Sequence, residues 1–293
     1  MSVILCENVS KNKKLNNFSF NFLDKKTYAI LGKSDSGKDV LLDILAANTS
    51  YNSGNVYLDG NKLSKRRECK NKICYINKNT SYPNNLLIKN LFKYMNRTYP
   101  KWDNYYAYNL CKFFNIDYSK TWKQMPPYKK HLVIGICALA SRANITIIDD
   151  PVFDADMKIR YDFYNQLYLH KERYPRTIIL STEKVDDISF LLDRVLFLDK
   201  GKLIDFFNLP DFEDFKLLTG KTEVLLPLLN GIKIIGKEER NGTLSVCIYK
   251  NLSKDDRRKF QKYLIDITDI SIEKLFVFLT TLKDHRDAKV ELF

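Results

Sequence analysis

The run Gly32-Lys33-Ser34-Asp35-Ser36-Gly37-Lys38-Asp39 carries glycine, glycine and lysine at the fixed points of a GxxxxGK phosphate-binding loop. Backbone N–H groups of such a loop cradle phosphates, the N-terminus of the following helix adds a partial positive charge, and the lysine, here Lys38, reaches the terminal phosphates. Gly32, Ser34, Asp35, Ser36, Gly37, Lys38 and Asp39 are therefore the first candidates for nucleotide contact. A second GKT at Gly220-Lys221-Thr222 lacks the upstream glycine and a preceding strand pattern, and is read as chance.

A phosphate loop functions only between a strand and a helix. KTYAILG is an apolar strand pattern that runs straight into the loop, and DVLLDILAA behind it has helical spacing. KICYIN, ITIIDD, RTIILST and RVLFLDKGKLI supply further strands. Between them lie a helical arm, from about Asn84 to Phe114, and the helix pattern KKHLVIGICALASR. Strands alternating with helices predict an α/β domain with a mostly parallel sheet covered on both faces. After about residue 207 the texture changes. EVLLPLL, IKIIGKEE and LSVCIYK predict short antiparallel strands, and DDRRKFQKYLIDI and SIEKLFVFLTTLK predict amphipathic helices. The expected organisation is a first domain over 1–206 and a small α+β accessory domain over 207–293.

Composition narrows the setting. The 293 residues carry 48 Lys and Arg against 35 Asp and Glu, a formal +13, spread along the chain instead of forming one block. Such a charge permits a polyanion, an anionic membrane surface or an acidic partner without choosing among them. No apolar run approaches the ~20 residues a spanning helix needs, and the N-terminus lacks a signal-peptide layout, so a cytoplasmic location is expected. The six cysteines lack any CxxC pair and only three histidines are present, which predicts reduced thiols and no zinc site.

The order of motifs resembles the ATP-binding subunits of ABC transporters, most closely the bacterial ABC-2 type of peptide export and antimicrobial resistance. Ile147-Ile148-Asp149-Asp150-Pro151 is similar to the Walker B strand with its DEP ending, and Asp156 falls at the D-loop aspartate. Ser181-Thr182-Glu183 stands where the switch histidine belongs, and Ile73-Cys74-Tyr75-Ile76-Asn77-Lys78 resembles the approach to the Q-loop. Asp193 to Ile204 is similar to the strand hairpin that follows, and Ser271 to Leu282 to the terminal helix of that subfamily. The resemblance implies a P-loop nucleotide-binding domain with a helical arm, ATP and Mg²⁺ as ligands, Asp149 as a metal contact, and a catalytic pair at positions 150 and 183.

The pattern is broken where it matters chemically. The family has Ser or Thr after the loop lysine to hold Mg²⁺, and Asp39 stands there; it has Gly at the position of Asp35. At about 5 Å and an effective dielectric near 20, each like-charge pair with a phosphate costs on the order of 3 kcal/mol. Asp39 can instead ligate Mg²⁺ directly, which keeps weak binding open. Asp150 replaces the catalytic glutamate, Glu183 the histidine and Lys78 the glutamine. Counting back from Asp149, Met125-Pro126-Pro127-Tyr128-Lys129 overlies the LSGGQ signature, and two prolines remove backbone donors there. An ion-pair cluster of Lys38 and Lys78 with Asp39, Asp149, Asp150 or Glu183 is expected in the cleft.

The resemblance implies a weakly or non-hydrolysing subunit at the inner face of the cell membrane, docked on a separate transmembrane permease through the arm, and paired with a second ABC ATPase subunit as a homo- or heterodimer. The arm's aromatic face, including Phe92, Tyr94, Tyr105 and Tyr106, is expected to carry the permease contact. The alternatives are a functional ATPase exporting peptides or antimicrobial compounds, and an ABC protein acting on ribosomes or DNA. A single such domain argues against the last, and no nucleic-acid partner is expected.

Overall fold

The computed structural model describes residues 2–287 apart from Ser64, Lys78, Pro151, Phe153 and Glu183. The described chain divides into two compact units, one of residues up to 183 with 187–203, the other of 184–186 with 204 onward.

The first unit opens with β1 (Ser2–Lys11) and β2 (Leu15–Leu23). Alternating buried and exposed residues along β2 give a strand with one face in the core. Next come β3 (Thr27–Leu31), α1 (Lys38–Leu45), β4 (Ser53–Leu58) and the short β5 (Asn61–Lys62). β2, β1, β4 and β5 form an antiparallel sheet in that order. Then follow β6 (Ile73–Asn77), the arm helices α2 (Ile88–Thr98) and α3 (Asn104–Phe113), α4 (Pro127–Ser141), β7 (Ile145–Asp149), α5 (Met157–Arg173), β8 (Thr177–Ser181), β9 (Arg194–Asp199) and β10 (Lys202–Asn208). The second sheet has the order β10-β9-β3-β8-β7-β6, and β9, β3, β8, β7 and β6 run parallel. β3, β7 and β8 are buried at every residue, as parallel strands covered on both faces must be. One core joins the two sheets to α1, with Phe18, Phe22, Tyr28, Leu41, Leu42, Ile145 and Leu196 in it.

The second unit contains β11 (Phe215–Lys221), α6 (Thr222–Leu228), β12 (Ile234–Arg240), β13 (Thr243–Tyr249), α7 (Lys254–Lys262), β14 (Asp266–Asp269) and α8 (Ile272–Asp287). Its sheet order β12-β13-β11-β14, antiparallel throughout, with helices after β11 and β13, is the split βαβ arrangement of ferredoxin-like folds. Leu218, Leu244, Val246 and Ile248 form one core with Leu225 of α6 and Phe260 of α7. Gly236 of β12 lies against Phe278 of α8, where a Cβ would collide with the ring. Asp186 caps α8: its carboxylate accepts from Ile272 N at 2.8 Å and Glu273 N at 3.3 Å.

Two local expectations are corrected here. EVLLPLL, expected as a strand, is helix α6, because Leu225 and Leu229, four residues apart, both enter the core. The strand is the preceding FKLLTGK, and Gly220 and Lys221 of the GKT lie inside it. DDRRKFQKYLIDI is not one helix: α7 stops at Lys262, Leu264 takes a left-handed φ of 58°, and the chain enters β14.

Candidate functional site

The parallel register aligns the chemistry. Ile30 of β3 lies opposite Ser181, Ser181 opposite Asp149, and Asp149 opposite Asn77, so the phosphate loop leaves β3 at the edge where those side chains end their strands. This is the C-terminal edge of the sheet, where open α/β folds bind ligands.

The loop itself is tightly built. Gly37 has φ 88°, and a Cβ there would collide with the Lys14 carbonyl, so glycine is required on both counts. Ser36 N donates to Lys33 O at 3.0 Å, and Ser36 O accepts from Gly201 N at 2.9 Å. Lys38 opens α1 and is 6% exposed. Its ammonium donates to the Gly32 carbonyl at 2.8 Å, closing the loop across its mouth. The Ser36 hydroxyl is buried with no hydrogen-bond partner among the described residues, and so is that of Ser181 at the end of β8.

Asp35 and Asp39 are exposed, as are Lys33 and Ser34. Asp39 stands in the first turn of α1, where its charge favours the helix N-terminus. Solvent screening at an exposed carboxylate reduces the repulsion below the ~3 kcal/mol expected for a sequestered pair.

Asp149 ends β7 and is 6% exposed. Beside it, Asn77 ends β6 in a turn: its carboxamide oxygen accepts from Asn79 N at 3.0 Å and from the Thr80 hydroxyl at 3.1 Å, and its amide donates to the Tyr75 hydroxyl at 3.1 Å. Burial pushes the Tyr75 phenol up, and the carboxylates of Asp43 and Asp149 add to the shift. Asp150 has a left-handed φ of 38°, its N–H donates to Ser181 O at 2.9 Å, and its Oδ2 accepts from the Thr182 hydroxyl at 3.4 Å. Burial raises the phenol of neighbouring Tyr164, with Asp150 contributing. The Asp150 carboxylate, expected from the sequence at the catalytic position, is thus tied to the residue that follows β8. Lys78, Pro151 and Glu183 lie outside the described residues, and so does the part of the expected ion-pair cluster built on Lys78 and Glu183.

Met125 to Lys129 begins α4, with Pro126 at the cap and Pro127 at the first helical position, where the missing N–H costs no helical bond. Met125 is buried, and Lys129 donates to Asn115 O at 2.6 Å, so these two serve packing and arm closure. Asp156 caps α5, accepting from Ile159 N at 2.8 Å. The aromatic face of the arm is smaller than expected. Phe92 is fully buried with Ile88, Leu91 and Met95, and Tyr106 donates to Gln166 O at 3.1 Å while stacking on His170 at 4.2 Å. Tyr94 and Tyr105 are exposed, at 53% and 78%.

The residues present fit a phosphate. The buried Ser36 hydroxyl, without a hydrogen-bond partner among the described residues, and the Lys38 ammonium, which donates to the Gly32 carbonyl, lie within one glycine-bounded turn. For a metal the fit is thinner. No group of three or more His, Cys, Asp or Glu able to hold an ion occurs among the described residues. A cation would rest on Asp149, Asp39 and the phosphates themselves.

The parallel sheet, the loop after β3 and the arm before α4 together decide the fold. The first unit has the fold of an ABC-type nucleotide-binding domain. A family model described as ABC transporter matches residues 15–153. The chain is 22% identical over 210 residues to the ABC transporter ATP-binding protein YtrB of Bacillus subtilis (strain 168), covering 72% of each. It is 26% identical over 206 residues to the energy-coupling factor transporter ATP-binding protein EcfA2 of Clostridium perfringens (strain 13 / Type A), covering 65% of this chain and 71% of that one. An ATP-binding cassette solved as a dimer in a post-hydrolysis state with ADP and Pi matches with a TM-score of 0.60 at 20% identity, over 70% of this chain and 98% of that one.

Proposed function

We propose that this chain is the nucleotide-binding subunit of an ABC-2 type exporter, peripheral at the inner face of the cell membrane, docked on a separate permease and paired with a second ABC ATPase subunit, with hydrolysis slow or absent. The observation that carries the reading is the contrast inside the cleft. The phosphate loop keeps Gly37 in its left-handed turn and Lys38 at its helix start, while Asp39 replaces the metal-binding hydroxyl and the Asp150 carboxylate is bonded to Thr182. Nucleotide capture through the loop is therefore retained more fully than water activation. When bound, MgATP would supply the scissile phosphate; Lys38 and the loop backbone would hold it, and Asp149 with Asp39 would hold the metal.

No helix among the described residues is long and apolar enough to cross a membrane, so the reading gives translocation to another chain. Tyr94 and Tyr105, exposed on the arm, are the aromatics available for that partner. The second unit, with its own core and a helix capped by Asp186, is an accessory domain that tunes the subunit.

A working ATPase is the second reading, favoured by the placement of Lys38, at the start of α1, and Asp149, at the end of β7, at the same C-terminal edge of the sheet. Steady-state MgATP turnover by the purified chain decides between the two. Turnover absent or barely above background supports the degenerate subunit; brisk turnover abolished by Lys38→Ala supports the motor.

A further inference from the structure

At the opposite pole of the first unit, where the parallel strands begin, lies a cleft of about 710 Å³. It is one strand length, about 16 Å, from the phosphate-loop edge. Six cations line it: Lys25, Lys72, Lys101, Arg142, Arg173 and Arg176; the carboxylates in the lining are Asp24 and Asp59. Asp59 is already paired with Lys72 at 3.0 Å.

Arg176 is the decisive residue. It is 4% exposed, yet its guanidinium bonds only neutral groups among the described residues: Thr146 Oγ1 at 3.1 Å, His170 Nδ1 at 2.9 Å and Leu139 O at 3.3 Å. A buried cation without a counter-charge is expensive, and compensation by an anion is the ordinary remedy. Burial lowers Arg176 to about 10, and no carboxylate offsets the effect. Arg142 adds a second sign of use. It holds a left-handed φ of 46° at the end of α4, a position that favours glycine by on the order of 1 kcal/mol. Its guanidinium stacks on Tyr174 at 3.5 Å and pairs with Asp103, while its Nε is buried without a partner among the described residues. Lys101 donates to the carboxamide oxygen of Asn144, at 3.1 Å, and to no carboxylate among the described residues.

We propose that this cleft is a second anion site, separate from the phosphate loop, that takes a compact phosphate-bearing molecule of up to nucleotide size. The volume suits a small ligand. The concave form, closing on a buried arginine, favours such a ligand over an extended acidic segment. The site offers Arg176 and Arg142 at its base and Lys101 and Arg173 at its rim, a guanidinium-rich set matched to phosphate oxygens.

The test is calorimetric titration of the full chain, without divalent metal, using pyrophosphate and adenosine 5′-monophosphate as probes. Three proteins are compared: wild type, Lys38→Ala to weaken the phosphate loop, and Lys101→Glu/Arg173→Glu at the exposed rim, which leaves buried Arg176 in place. At least one probe should bind the Lys38→Ala protein as well as wild type, and the rim variant should lose at least tenfold in affinity for it in the Lys38→Ala background. The preferred probe tells whether the ligand carries a base. Loss of all binding in Lys38→Ala, an unweakened rim variant, or tighter competitive binding of a polyglutamate peptide would each overturn the assignment.

Discussion

The Lys38 ammonium lies 2.8 Å from the Gly32 carbonyl, so the lysine that should meet a phosphate bridges the two ends of its own loop. Nucleotide must replace that bond as it enters. Lys38→Ala should lower nucleotide affinity at least tenfold, about 1.4 kcal/mol, because a buried cationic donor is removed. Fluorescent ATP titration checks this, and unchanged affinity would place nucleotide elsewhere.

The screened position of Asp39 gives a prediction of opposite sign. Asp39→Ser removes a like charge and restores a hydroxyl beside Lys38, and should raise MgATP affinity by about tenfold, less than a sequestered carboxylate would allow. The gain should shrink at high salt. A loss of affinity in the same titration would mean that Asp39 is itself the better metal ligand.

His170 supplies a pH dependence. Burial first, then Arg176, Arg142 and Arg173, lower it from its ordinary 6.5 to about 3. Its Nδ1 accepts from Arg176, which fixes the neutral form. Between pH 6.5 and about 3 the unfolded chain takes up a proton that the folded chain refuses, so stability is full above that window and falls as pH drops through it. The contribution is about 1.4 kcal/mol per pH unit. His170→Gln retains an acceptor but does not titrate, so urea melts from pH 7 to 5 should be flatter in the variant. Identical pH slopes would remove His170 from the account.

The thiols should be silent. All six cysteines are buried, and burial pushes Cys6, Cys111 and Cys247 up to about 12. A thiol reagent at pH 8 should label none of them rapidly in the native chain and all six in denaturant.

Much of the first unit was legible because its chemistry is local. The GxxxxGK run, the strand before it and the apolar ITIIDD strand each announce themselves within ten residues, and the structure brings them to the same edge of one sheet, with β8 between the two strands. Phe92 and Tyr106 were misread because aromatic content was taken for an exposed face. The face is set by the helix period, which puts Phe92 in line with Ile88 and Met95. α6 was missed because a Leu-rich run of seven suits either element. The Arg176 network was not legible at all. Asp103, Arg142, His170 and Arg176 are spread over more than seventy positions and carry no motif, and only the packing of α3, α4 and α5 around the sheet brings them together.

The sharpest test is a MgATP binding and turnover assay on the purified full chain beside the variant Asp35→Gly/Asp39→Ser/Asp150→Glu. An acid-crowded, weakly hydrolysing cleft predicts weak binding and near-background turnover for the natural chain, with both rising together in the variant. Micromolar MgATP binding with brisk turnover in the natural chain, unimproved by the three substitutions, would contradict it.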